Sequence, residues 1–174
     1  MIFMSQSAIT DPNRAVDWGN WYEQHLHIMA TVPGVFSAQR FLTASTHYPP
    51  SLALYGVANA QVFEGEYYLS VRGMGEWLPL IDRRWYRRNL FSGIQTAPEV
   101  GENQVLLICD QTKPQEGFGG VQWEWLPVAG IDCSTPYRGL AVLGLEQVRQ
   151  LPETVAVYTV ASKRYINANP EGNP

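Results

Sequence analysis

One histidine in this chain lies in a pattern that could carry acid–base chemistry. His25 follows Trp21 and Tyr22 at helical spacing and precedes Met29 by four residues, so all four share one face of a helix. A partly buried imidazole can act as a base near neutral pH. Tyr22 could assist it as a catalytic partner, because a phenol donates to a developing oxyanion. Trp21 and Tyr55 would wall the same slot as substrate-binding rings. A second reading of His25 stands beside this one. A core histidine bonded to a backbone group or carboxylate would hold its helix on a sheet instead. Asp17 could orient the ring, although its position also suits the positive end of the helix, which is the preferred reading.

The other histidines are weaker candidates. His27 falls on the polar face and His47 in a predicted loop. Two residues apart on a helix lie about 200° apart around the axis, so His25 and His27 cannot chelate one ion. No metal site is expected. Cys109 and Cys133 show no paired spacing and are expected as buried thiols. Arg83, Arg84, Arg87 and Arg88 surround Trp85 and Tyr86. On a helix they would form a basic patch that could take a carboxylate or RNA. Salt bridges to acidic residues at an interface are the preferred alternative. Trp85 is a candidate to close the slot beside His25. No phosphate-binding glycine loop, dinucleotide fingerprint or nucleophile elbow is present, so no cofactor is expected.

The elements that would position these residues follow from the periodicity. Residues 2–10 suit a first strand, and Asp11-Pro12 starts a helix. Over 14–32 the residues Trp18, Trp21, Tyr22, His25, Met29 and Val32 form one face, and Pro33-Gly34 stops the helix. Residues 35–44 and 52–58 read as two strands. Asn59 can cap a short helix over 60–71, Gly73 and Gly75 break it, 77–88 reads as a third helical stretch, and 89–95 as a strand. This β-α-β-β-α-β order is the ferredoxin-like unit. Beyond a polar break at 98–102, strands are expected over 105–110, 138–145 and 154–160. The junction at 128–131 echoes that at 32–35. Segment 115–127 carries three glycines and makes a poor helix.

The set Trp21-Tyr22-x-x-His25, Val32-Pro33-Gly34-Val35, Ala38-x-Arg40-Phe41 and Leu52-Ala53-Leu54-Tyr55 resembles EthD-like proteins of the dimeric α+β-barrel superfamily. The likeness covers about residues 1–95 and only the outline of the remainder. It implies an antiparallel sheet with helices on one face, meeting a second such sheet in a dimer or between repeats. His25 matches the family histidine. Arg40 matches the family arginine, which could face a ligand or pair internally. Relatives include cyclases, isomerases, cofactor-free monooxygenases and haem-degrading enzymes, so fold does not decide function.

The expected fold is therefore α+β: a ferredoxin-like antiparallel sheet with helices on one face, in tandem with a truncated second repeat. The domains would be 1–98 and 103–166, followed by a flexible tail over 167–174. The first repeat's open sheet face calls for a partner, so a homodimer is expected. The function expected is a cofactor-independent enzyme of cyclase, isomerase, lyase or monooxygenase type, acting on a small apolar or aromatic molecule. The alternative is a non-catalytic ligand-binding or assembly protein with a structural histidine. The 45% hydrophobic content supplies a core, and the net charge of −4 argues against nucleic acid. No apolar run approaches the roughly 20 residues of a membrane span. The first residues lack the basic and apolar regions of a secretory signal. A cytoplasmic protein that engages no membrane is expected.

Overall fold

The computed structural model describes residues 1–171. Nine strands alternate with two α-helices: β1 Ile2–Ser7, α1 Ala15–Met29, β2 Val35–Leu42, β3 Ser51–Val57, α2 Glu66–Val71, β4 Arg87–Phe91, β5 Gln104–Gln111, β6 Glu124–Ile131, β7 Tyr137–Gly144, β8 Val155–Val160 and β9 Tyr165–Ile166. The strand order is β3-β1-β4-β6-β7-β5-β8-β2, and β2 pairs back onto β3, so eight strands close into a ring. Every pairing is antiparallel. The short β9 extends the outer edge of β2 at Ser37 and Ala38, beyond the stretch that pairs with β8.

This closure overturns the ferredoxin-like α+β expectation. The first four strands do not stand as an open layer with helices on one face and a truncated repeat attached. Helix makes up only 24% of the chain, and the architecture is a closed antiparallel β-barrel. The physical reason lies in the second half. It supplies four strands of six to eight residues, enough for β6 and β8 to pair with β4 and β2 at both edges of the first four. An exposed edge strand leaves backbone donors and acceptors unpaired, and closure removes both edges. The open face on which the homodimer expectation rested is thereby turned inward.

Strand alternation divides the apolar residues into two sets. Ile2, Met4, Leu52, Leu54 and Phe91 point into the barrel and meet Leu106, Ile108, Leu126, Leu140 and Tyr158 from the second half. Phe3, Ala53, Tyr55 and Leu90 point outward and pack under Trp18, Tyr22, Leu26 and Met29 of α1. One end of the barrel is polar. Arg138, 1% exposed, makes a two-toothed pair with Asp110 at 2.7 and 2.8 Å and donates to Gln6 Oε1 at 2.9 Å. Gln6 in turn donates to the Tyr158 hydroxyl, which donates to the Pro49 carbonyl.

Local readings that differ have local causes. The stretch 77–88 is no helix: a 3-10 turn at Gly75–Leu80 holds Pro79, and the chain then enters β4. Pro79 and the glycines at 73 and 75, both at positive φ, prevent continuation. Residues 60–71 split into a 3-10 turn, Ala60–Glu64, and α2. Cys109 is buried, but Cys133 is exposed in the tight β6–β7 turn at φ 47°. In the segment expected as a flexible tail, Asn167 donates to the Val32 and Val35 carbonyls, and the Pro170 carbonyl accepts from Gly34. Residues 172–174 of that segment lie outside the described residues.

Candidate functional site

α1 crosses the outer wall of the barrel with its apolar stripe inward. Trp18, Tyr22, Leu26 and Met29 are the residues it buries. Trp21 and His25 sit at the edge of that stripe and are only partly buried. Between α1, the outer faces of β1, β3 and β4, and the end of α2 lies a cavity of about 290 Å3. Phe3, Met29 and Tyr55 supply apolar lining, Ser5, Tyr22, Tyr68 and Tyr86 bring hydroxyls, and His25, Arg72 and Arg88 complete the polar set. Gly73 at φ 99° and Gly75 at φ 48° fold the chain after α2 so that Met74 also reaches the cavity.

His25 is held by stacking. Its ring lies 4.8 Å from that of Trp21 at 10°, and Trp21 lies 5.0 Å from Trp18 at 9°. Three parallel rings at positions 18, 21 and 25 thus fix the imidazole plane, as spacings of three and four residues on a helix allow. The Tyr22 ring meets His25 edge-on at 6.2 Å. Burial lowers the His25 pKa from 6.5 to about 4, with no hydrogen bond or neighbouring carboxylate opposing it. The imidazole is therefore neutral at pH 7 and adjoins open space.

The phenols are neutral as well. Burial raises the Tyr22 pKa, partly opposed by the Arg40 guanidinium 4.5 Å above its ring and by the Ser5 and Ser7 hydroxyls. Burial raises Tyr55 well above its ordinary value, and its ring stacks on Phe3 at 5.5 Å. Tyr68 and Tyr86 are raised by burial, and Arg72 and Arg88 oppose the rise in both. Each can donate a hydrogen bond at neutral pH.

Tyr22, His25 and Tyr55 thus meet at one cavity. Trp21 supports His25 from behind and does not line the cavity. Arg40 is 6% exposed, donates to Ser51 Oγ at 3.0 Å, and packs against the Tyr22 ring rather than lining the cavity. Trp85 is elsewhere. It lines a separate cavity of about 320 Å3 at the polar barrel end, with Gln6, Tyr48, Arg87, Asp110 and Arg138. Asp17 pairs with Arg14 at 2.9 Å and does not approach His25. His27 is exposed and stacks on Tyr165, and His47 faces Glu153 at 3.7 Å on the surface. Among the described residues no cluster of His, Cys, Asp and Glu could hold a metal ion.

The sequence reading missed Arg72, Tyr68 and Ser5, and it placed Tyr86 and Arg88 in a helical basic patch rather than beside His25. The signal for the latter two was period two in Trp85-Tyr86-Arg87-Arg88. The chain extends as it enters β4, so Tyr86 and Arg88 face the His25 cavity while Trp85 and Arg87 face the barrel end. The arginines that looked like one helical patch are dispersed, with Arg84 on Asp82 at 2.6 Å and Arg88 on Asp132 at 3.3 Å. Among the described residues no helix is long and apolar enough to cross a membrane. No family model, curated protein or solved structure matches the chain, so the EthD-like resemblance rests on the residues quoted for it.

Proposed function

We propose that the chain is a cofactor-independent enzyme that moves a proton on a small flat aromatic or apolar molecule, with His25 as the base. The observation that carries this reading is a neutral imidazole, fixed in plane by Trp21, beside a cavity lined by aromatic rings and phenols. A concave site that joins aromatic rings to a set of convergent polar groups is a common form of a small-molecule site, and this cavity has both.

One class of step fits the groups that line the cavity, with burial leaving His25 a weak base until a bound anion raises its basicity. His25 takes a proton from an acidic C–H group, and the electron pair moves onto the adjacent carbonyl oxygen as an enolate. The Tyr22 phenol, kept protonated by burial, is a donor for that oxygen. Burial disfavours the imidazolium so formed, so the proton is returned promptly to the same molecule, at the original carbon or another. Isomerisation and cyclisation fit this pattern. The two unpaired cysteines suit the reducing cytoplasm.

The test needs no known product. Enolisable aryl ketones and β-diketones are incubated with the protein in D2O, and loss of the acidic C–H signal is followed by NMR. Exchange above the buffer rate is expected, and His25→Ala should abolish it while the circular dichroism spectrum persists. Exchange unaffected by His25→Ala, or none above buffer across the panel, refutes the enzyme reading. Binding without exchange would favour the non-catalytic alternative.

A further inference from the structure

The polarity of the cavity is one-sided. Its lining includes two guanidinium groups, Arg72 and Arg88, and no carboxylate. Among the described residues Arg72 makes no ion pair. Arg88 is only partly used. Its backbone N–H and Nη2 reach Asp132 at 2.8 and 3.3 Å, while its Nε is buried with no partner among the described residues. A buried charge-bearing donor left without an acceptor is costly, and a bound acceptor removes that cost.

The two arginines converge although they come from different elements. Arg72 caps the C-terminus of α2, and Arg88 lies on β4. Both act on the same two phenols, Tyr68 and Tyr86, which also line the cavity. The remaining wall is aromatic and apolar, from Phe3 and Tyr55 to Met29 beside His25. A molecule with one acidic end and one flat body matches both parts. Arg72, without an ion pair among the described residues, and Arg88, only partly matched by Asp132, favour an anion there, and a guanidinium fork suits a carboxylate.

Resting on the enzyme reading above, we infer that the substrate is a small aromatic carboxylate whose acid group is held by Arg72 and Arg88, with its ring against Phe3 and Tyr55. The clamp fixes which carbon faces His25, so Arg72 and Arg88 are specificity-determining residues. The bound negative charge also favours protonation of His25, which gives the base more strength with substrate present than without it. At about 290 Å3 the cavity has room for one or two fused rings.

The experiment compares 2-naphthoate with its uncharged isostere, 2-naphthamide, by titration calorimetry on the whole protein at low salt. The acid is expected to bind about tenfold or more tighter than the amide, the worth of one charge-assisted pair. Arg72→Gln removes an exposed side chain with no ion-pair partner among the described residues, so folding is not at stake. It should weaken the acid about tenfold and leave the amide within about twofold. Arg88→Gln should do the same, and saturating naphthoate should raise the His25 titration midpoint seen by NMR. Equal affinity for acid and amide, equal weakening of both by Arg72→Gln, or no binding of either at millimolar concentration overturns the clamp. Failure of the two ideas is separable. Acid-selective binding with no C–H exchange in enolisable aryl carboxylates leaves the clamp and removes the enzyme. His25-dependent exchange that is indifferent to the acid group does the reverse.

Discussion

The depressed His25 pKa makes the stability of the fold depend on pH in a predictable direction. In the unfolded chain the imidazole titrates near 6.5, and in the folded protein near 4. Between those values the unfolded state binds a proton that the folded state refuses, so stability falls as pH drops from 6.5 towards 4. At about 1.4 kcal/mol per pH unit, and allowing for the partial exposure of the ring, the loss amounts to about 2–3 kcal/mol. Arg72 and Arg88 line the same cavity, and Arg40 lies behind Tyr22. No carboxylate lines the cavity to stabilise the imidazolium. Urea unfolding of the wild type and His25→Gln at intervals from pH 7.5 to pH 4 reads the effect directly. Other titrating groups cancel in the difference between the two proteins. The wild type should lose about 2–3 kcal/mol relative to the variant over that window, with no relative change above pH 7. Parallel curves, or a His25 ring proton that titrates near its ordinary value, would refute the argument that burial keeps this imidazole neutral.

Other consequences are open to direct measurement. Asp110→Asn leaves the buried Arg138 guanidinium without its charge partner, so chemical denaturation should show a loss of about 3–5 kcal/mol. Gly34 has φ 81°, and a Cβ there would strike Val62 Cγ2, so Gly34→Ala should cost about 1–3 kcal/mol by the same assay. Cys133 is exposed and Cys109 fully enclosed. A thiol reagent should modify one site in the native protein and the second only on addition of denaturant. Tyr22→Phe keeps the ring stacked under Arg40 but deletes the donor hydroxyl. It should slow His25-dependent C–H exchange about tenfold to a hundredfold while leaving the thermal midpoint within a few degrees.

The parts of the site legible in the sequence are those set by local periodicity. The α1 stripe is a matter of three- and four-residue spacing, and it puts Tyr22 and His25 on the barrel side of the helix whatever lies beyond. What periodicity could not supply is which strands meet. The pairings of β4 with β6 and β2 with β8 join the two halves of the chain. They depend on edge hydrogen bonds that carry no side-chain signature. With those edges unassigned, the first four strands read as an open layer in want of a partner. β6 was lost for a related reason. Its approach is rich in glycine and it contains Pro127, so nothing in Glu124–Ile131 alternates cleanly enough to announce a strand.

The misreading of 77–88 had the larger cost for function. Four arginines and two rings at close spacing satisfy a helical pattern, and the helical reading gathers their charge on one surface. The extended chain at the start of β4 separates them. Tyr86 and Arg88 go to the cavity beside His25, and Trp85 and Arg87 go to the barrel end. β4 therefore serves two cavities at once, one on each face. This also explains why its charged residues are tolerated in a barrel wall. Each of the two arginine positions adjoins a cavity, and Arg88 is partly matched by Asp132, while Asn89, Leu90 and Phe91 carry the buried part of the strand. The position of Arg88 near the His25 cavity is thus a consequence of register. Moving β4 by one residue against β1 would bring Arg87 to the cavity and Arg88 to the barrel end. It would also expel Phe91 from the interior it shares with Met4, Leu54 and Leu106. The packing of Phe91 inside the barrel and the placement of a cation outside it are one constraint. A substitution that loosens Phe91, such as Phe91→Ala, should therefore weaken carboxylate binding together with stability, whereas Arg72→Gln should weaken binding alone.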